Sequence, residues 1–273
     1  MNNLKMYCLC IHDELLEKVK KLNYIPVALG KNNYQKDWMR DNIGKNISHK
    51  NKYYGEYTFH YWVWKNYLDK LEDEWIGFCQ YRKFWSLKNY KKEEINFNNL
   101  SSKVLKDLPD EFDQYESILV TPFFVNQFKP MKFFKRGLKI LIKKPYLFLN
   151  KKKRNINFHF DLMHGENNLN KAINLLDEKN RDDFMHFVNT EVSFNPQNMF
   201  ICKTKKILKN YYEDLFPWLE RCENLFGFDN LKGYNKVRIY TFLAERFLSY
   251  WFKKNTKYTI LPIVFHDIRN DIK

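Results

Sequence analysis

The chain has 273 residues, 44% of them hydrophobic and 18% aromatic, enough for a packed core and incompatible with an intrinsically disordered chain. A formal net charge of +15 directs attention to anionic partners: nucleic acid, a membrane surface or an anionic substrate. No apolar run reaches the roughly 18 residues of a membrane-crossing helix, and the first residues lack a secretory leader pattern, so a cytoplasmic protein is expected.

In chain order, Met6 to Ile11 (MYCLCI) reads as a short buried strand, and Tyr24 to Leu29 as a second extended piece ended by Gly30. Asp41 to Asn51 is a polar, turn-rich loop. Tyr53 to Tyr67 has aromatic residues at helical spacing: Tyr54, Tyr57, Tyr61 and Trp64, with Leu68 beyond. The acidic Glu72–Glu74 reads as a solvated turn before the strand Trp75 to Phe78, and Ser117 to Val120 is another strand. Helices are predicted over Asn167 to Leu176 and Arg181 to Val188. Asn198 to Lys203 reads as a strand, and Thr204 caps a helix over Lys205 to Asn224. Tyr234 to Phe252 reads as one regular helix and Tyr258 to Val264 as a last strand. Strands alternating with helices indicate an α/β sheet with a helical C-terminal part. No Gly/Pro/Ser linker divides the chain, so a single domain is expected.

The charge is concentrated. Residues 132–154 hold ten Lys or Arg and no acid. Phe133, Phe134, Leu138, Leu141 and Ile142 alternate there with Lys135, Arg136, Lys139, Lys143 and Lys144. Such a segment can lie in a membrane interface, rings down and cations toward anionic headgroups. A solvated loop over a packed helix is the competing reading, and an AT-rich coding bias also inflates lysine. No nucleic-acid-binding motif is present, so no nucleic-acid partner is expected.

Several chemistries lose their usual support. The chain has no phosphate-binding glycine motif, no H-E-x-x-H and no G-x-S-x-G. Its five cysteines, Cys8, Cys10, Cys79, Cys202 and Cys222, are scattered with no C-x-x-C, which argues against a disulfide framework or a zinc site. No D-x-D, the acidic pair that holds a divalent metal on a sugar nucleotide, occurs.

An ordered series of motifs carries a resemblance: YIPV from Tyr24, DNIGKNIS from Asp41, NKYYGE from Asn51, YWVWKN from Tyr61 and WIGFCQYRKF from Trp75. NMFI from Asn198, FPWL from Phe216, and Arg238 followed by FLAERF from Phe242 extend it over nearly the whole chain. The series resembles the bacterial family catalogued as domain of unknown function 4422. That resemblance implies a glycosyltransferase of capsular polysaccharide or lipopolysaccharide synthesis, some members of the family acting with galactofuranose. Where the family usually carries histidine, this chain has Gln80, which hydrogen-bonds but does not titrate. The layout of an aromatic helix followed by a strand ending at Tyr81-Arg82 also resembles GT-A glycosyltransferases. This implies a Rossmann-like mixed sheet flanked by helices, with Tyr81 and Arg82 where the metal-binding pair usually stands.

These resemblances imply a UDP-sugar donor, a lipid-linked or polymeric glycan acceptor, and a position at the inner face of the plasma membrane. Manganese or magnesium remains open as a cofactor without support from a D-x-D. Leaving-group charge needs fixed cations or a metal; Arg82, helped by Lys83, suits a diphosphate through its planar fork. Tyr81, Asp41, Asn42, Asn46, Ser48 and Glu56 are the remaining donor-binding candidates, although Asp, Asn and Ser also make turns and caps. Asn198 and Arg238 are candidates for the acceptor. An inverting transfer needs a general base. Glu245 and His164 lead, with Asp161 and His266 also open; His164 is expected on a loop before a helix, and Glu245 on the same helical side as Arg238. Trp62, Trp64, Trp75 and Trp85 read as core or as sugar-stacking surfaces. A transferase of another activated group and a non-catalytic glycan-binding scaffold are the alternatives. Oligomeric state is not legible.

Overall fold

The computed structural model describes residues 2–30, 34, 38–72, 74–127, 142, 145 and 150–271. Phe133, Phe134, Lys135, Arg136, Lys139, Lys143 and Lys144 of the basic segment lie outside the described residues. Eleven strands are described: β1 (Leu4–Cys10), β2 (Ile25–Ala28), β3 (Met39–Arg40), β4 (Trp75–Gln80), β5 (Lys83–Trp85), β6 (Ser117–Val120), β7 (Phe123–Phe124), β8 (Ser193–Phe194), β9 (Phe200–Cys202), β10 (Tyr258–Leu261) and β11 (Ile263–Phe265). The chain divides into two compact units, one of residues 1–121, 197–213 and 252–273, the other of residues 122–196 and 214–251.

The first unit is a mixed α/β sheet flanked by helices. Its strand order is β10-β6-β9-β4-β1-β2-β3, with β5 pairing both β4 and β11. Strands β1 to β4 run parallel, as do β6 and β10, while β9 lies antiparallel between β6 and β4. All six residues of β4 are buried, as are six of seven in β1, as expected of strands covered on both faces. At Gly77 an added Cβ would come within 2.7 Å of Met6 Cε and 3.2 Å of Ile201, so any larger residue there would displace the Met6 side chain.

The aromatic stretch after the polar loop is helical, but not as one rod. It comprises the helical turns Asn51–Tyr54, Tyr57–Trp62 and the wider π turn Val63–Tyr67. Gly55 separates the first two, with φ of +54°. The buried Tyr57 hydroxyl lies 3.1 Å from that of Tyr211, and His60 Nδ1 lies 2.7 Å from the Tyr212 hydroxyl. Burial pushes the His60 pKa down to about 3, so the ring stays neutral.

The second unit is mainly helical, with the small antiparallel pair β7–β8. Helices Ile156–His164, Asn168–Ile173 and Glu178–Thr190 join parts of Lys205–Phe226 and Ile239–Asn255. Phe184 packs on Trp218, Phe247 and Tyr250. The Trp218 indole donates to the Ala172 carbonyl at 2.7 Å, and Asp214 Oδ2 accepts from Trp251 at 2.8 Å and Asn180 at 3.1 Å, so both indoles and the Asn180 carboxamide have partners.

Three local expectations need correction. The long helix from Tyr234 is broken: Tyr234–Val237 ends at Arg238, whose φ of −96° and ψ of 27° leave the helical region, and Ile239–Asn255 follows. Tyr258 to Val264 is two strands, because Pro262 cannot donate a ladder hydrogen bond. His164 is not on a loop; it is the last residue of Ile156–His164, a helix capped at its start by the Asn155 side chain and stopped by Gly165 with φ of +108°.

Candidate functional site

Parallel strands β1 to β4 end on the same edge of the first unit's sheet, and polar residues follow them there. His12 comes after β1, Gly30 after β2, Asp41 after β3 and Tyr81–Lys83 after β4. This carboxyl edge is where open α/β sheets bind ligands.

The loop after β3 is built rather than slack. The Trp62 indole donates to the Ile43 carbonyl at 2.8 Å, and Asn66 brackets Lys45 by accepting from its amide at 2.9 Å and donating to its carbonyl at 2.8 Å. Asp41 is fully buried, and its Oδ1 accepts from the Gly30 amide at 2.9 Å. Burial pushes its carboxyl up to about 6. Asp41 Oδ2, Asn42 Oδ1 and Trp38 Nε1 are buried with no hydrogen-bond partner among the described residues. Asn46 and Ser48 turn to each other instead: Asn46 Oδ1 accepts from the Ser48 amide at 3.2 Å and hydroxyl at 2.8 Å. These are the hydrogen bonds of a turn.

After β4, the buried Tyr81 ring collects cations. The Arg82 guanidinium lies 5.1 Å from its centre and that of Arg269 5.3 Å, while the His12 ring meets it edge-on at 5.6 Å. Burial holds the Tyr81 hydroxyl's pKa above its ordinary value. Arg269 is occupied by Asp267, with Nε at 2.9 Å from Oδ1 and a terminal nitrogen at 2.6 Å from Oδ2, and those hydrogen bonds hold the Asp267 carboxyl below its usual range. Arg82 is exposed, and no ion pair to it occurs among the described residues.

Gln80, the last residue of β4, joins two of the predicted residues. Its Nε2 donates to Glu56 Oε1 and to the Gln197 carbonyl, both at 2.9 Å, and its Oε1 accepts from Lys83 Nζ at 3.0 Å. Glu56 and Lys83, far apart in sequence, thus share one carboxamide. Asn198 follows Gln197 directly, just ahead of β9, and is 6% exposed.

Glu245, His164, Arg238 and Asp161 fall in the second unit. Glu245 forms an ion pair with Arg246. Arg246 is 2% exposed, lies 3.9 Å over the Phe194 ring and reaches His159 Nδ1 at 3.3 Å. Burial and this guanidinium hold His159 neutral. His164 is 2% exposed, stacked 4.0 Å from Phe242, and its Nδ1 lies 2.9 Å from the Asn235 carbonyl. Arg238 lies 5.7 Å from the Tyr234 ring. Asp161 Oδ1 accepts from the Asn167 amide at 2.8 Å. His266 belongs to the first unit, its amide donating to the Arg82 carbonyl at 3.2 Å.

The sequence reading passed over Trp38, His12, Arg269, Arg246 and the bridging role of Gln80. Among the described residues, no group of three or more His, Cys, Asp or Glu is gathered as a metal site requires.

One family model, described as a domain of unknown function and numbered 4422, matches residues 5–256. No curated protein matches the chain. Among solved structures, the apo form of the WbbM bifunctional glycosyltransferase matches with a TM-score of 0.69 and 20% identity, over 97% of this chain. The match takes in 45% of that protein, so this chain spans less than half its length; the likeness is one of fold.

Proposed function

We propose, from the premise that the chain belongs to the family of unknown function numbered 4422, that it is a glycosyltransferase drawing on a nucleotide-sugar donor. The observation that carries this reading is the exposed Arg82 guanidinium beside Tyr81 at the carboxyl edge of the parallel strands. The likeness in fold to a bifunctional glycosyltransferase supports it.

In this reading the donor is a UDP-sugar, galactofuranose among the candidates. Arg82 and Lys83 bind the diphosphate and stabilise the charge that develops as the sugar–phosphate bond breaks. Asp41, Asn42 and Trp38 offer two acceptors and one donor without partners to the nucleoside end. The acceptor is a glycan, lipid-linked or polymeric, of a surface polysaccharide. His266, beside Arg82, is the base candidate within the same unit. No described helix is long and apolar enough to cross a membrane. The basic residues 132–154 are assigned to an anionic membrane surface, and flotation with anionic vesicles, with and without that segment, reads this directly.

The test is calorimetric titration of wild type and Arg82→Ala with UDP and a panel of UDP-sugars, with and without manganese. Metal-independent binding that Arg82→Ala weakens by about tenfold or more is the expected result. Binding that requires manganese and ignores Arg82→Ala overturns the role of Arg82. Absence of any nucleotide binding, with glycan binding retained, replaces the transferase by a glycan-binding scaffold.

A further inference from the structure

We infer that Asn198 and Glu56, set in place by Gln80, form a subsite for the hydroxyls of a neutral sugar at the carboxyl end of β4. The inference rests on the glycosyltransferase reading and specifies which residues hold the transferred sugar rather than the diphosphate.

Gln197 and Asn198 have φ of +81° and +54°. Two consecutive residues with side chains thus occupy the left-handed region, a conformation that persists only where the surroundings impose it. Part of that imposition is visible: the Gln80 carboxamide donates to the Gln197 carbonyl at 2.9 Å. Its donations to Glu56 and Gln197 and its acceptance from Lys83 saturate its main hydrogen-bonding directions. Gln80 is therefore a bracket and not a group awaiting a ligand.

The bracketed turn delivers Asn198. Asn198 is 6% exposed, and its Oδ1 has no hydrogen-bond partner among the described residues. A buried acceptor of this kind requires a donor from elsewhere. The neighbouring charges decide which donor. The Glu56 carboxylate repels phosphate, while Lys83 is held at the oxygen end of the same Gln80 carboxamide. The unpartnered Asn198 amide oxygen and the Glu56 carboxylate are both acceptors, and a sugar hydroxyl donates to an acceptor while its own oxygen still accepts. The separation of labour follows: Arg82 faces the charged part of a sugar nucleotide and Asn198 its uncharged part.

The test uses Asn198→Gly, because glycine adopts the left-handed conformation without strain and so removes the carboxamide while keeping the turn. Wild type, Asn198→Gly, Glu56→Gln and Gln80→Ala are titrated with UDP, UDP-sugars and free methyl glycosides that differ by one epimeric hydroxyl. Asn198→Gly is expected to be at least as thermostable as wild type. It and Glu56→Gln are expected to lose about tenfold or more in sugar affinity with UDP affinity unchanged. Gln80→Ala is expected to flatten the preference among epimers, which mere loss of stability does not do. Unchanged sugar discrimination in Asn198→Gly overturns the subsite and leaves the transferase reading standing. Asn198-dependent glycoside binding without nucleotide binding does the reverse. Equal wild-type affinity for UDP and every UDP-sugar, with no glycoside bound, also overturns the subsite.

Discussion

The Gly30 amide donates a hydrogen bond to the Asp41 carboxylate at 2.9 Å, and the second oxygen of that buried carboxylate has no partner among the described residues. The protein thus carries a destabilising charge at the mouth of its parallel strands. The Asp41 carboxyl is raised from its ordinary 3.8 to about 6, so the folded state holds a proton that the unfolded state has released between those values. The Asp41 contribution to stability is therefore expected to fall as pH rises from about 4 to 6 and to level off above. Asp41→Asn is expected to gain roughly 2–3 kcal/mol at pH 7.5, a gain that disappears at pH 4. Thermal melts of both proteins across this range check the sign. Weaker UDP-sugar binding by the stabler variant is the expected companion, since a group retained at a cost to folding serves a ligand.

The ion pair of Glu245 with Arg246 leads to a different expectation. Glu245→Ala leaves a guanidinium that is 2% exposed without its carboxylate, and is expected to cost about 3–5 kcal/mol. Glu245→Gln keeps a hydrogen-bond acceptor and is expected to cost less. Urea denaturation of the two variants separates them. A loss of activity confined to Glu245→Ala then reports folding rather than proton transfer.

All five cysteines are reduced and buried. Burial pushes the Cys202 and Cys222 thiols well above their ordinary pKa, which removes the reactive thiolate. A thiol reagent such as Ellman's is expected to find almost no reactive group in the native protein and all five in denaturant. Rapid labelling of the native protein would contradict the packing of β1 and β4 described above.

The sequence was most legible where hydrophobicity ran unbroken. Ser117 to Val120 was expected as a strand and is β6, because a buried apolar run leaves little choice. Helix Lys205–Phe226 was found from its apolar spacing and its Thr204 cap, whose hydroxyl accepts from the Ile207 amide at 3.3 Å. Strands β3 and β5, of two and three residues, are too short to show a period. Arg238 ends a helix without a glycine or proline to announce it. The candidate site divides in the same way. Arg82 and Asp41 stood out because charge is costly to bury or to leave idle. Gln80 drew attention only as a substitution, since its role depends on the carbonyl of Gln197, more than a hundred residues away. Arg269 lies outside the matched residues 5–256, where no motif drew attention to it.

The position of β9 has a consequence for biosynthesis. It is the strand that joins β4 to β6, and it consists of Phe200–Cys202. While a ribosome is still making the earlier residues, β4 has on that side only the pairing of Gln80 with Lys83 of β5, and the rest of its row of backbone groups stays open to any other nascent strand. The sheet therefore closes late, through contacts distant along the chain, a topology that folds slowly and is prone to misassociation on the way. Premature termination before residue 200 is accordingly expected to yield insoluble fragments rather than a smaller working sheet.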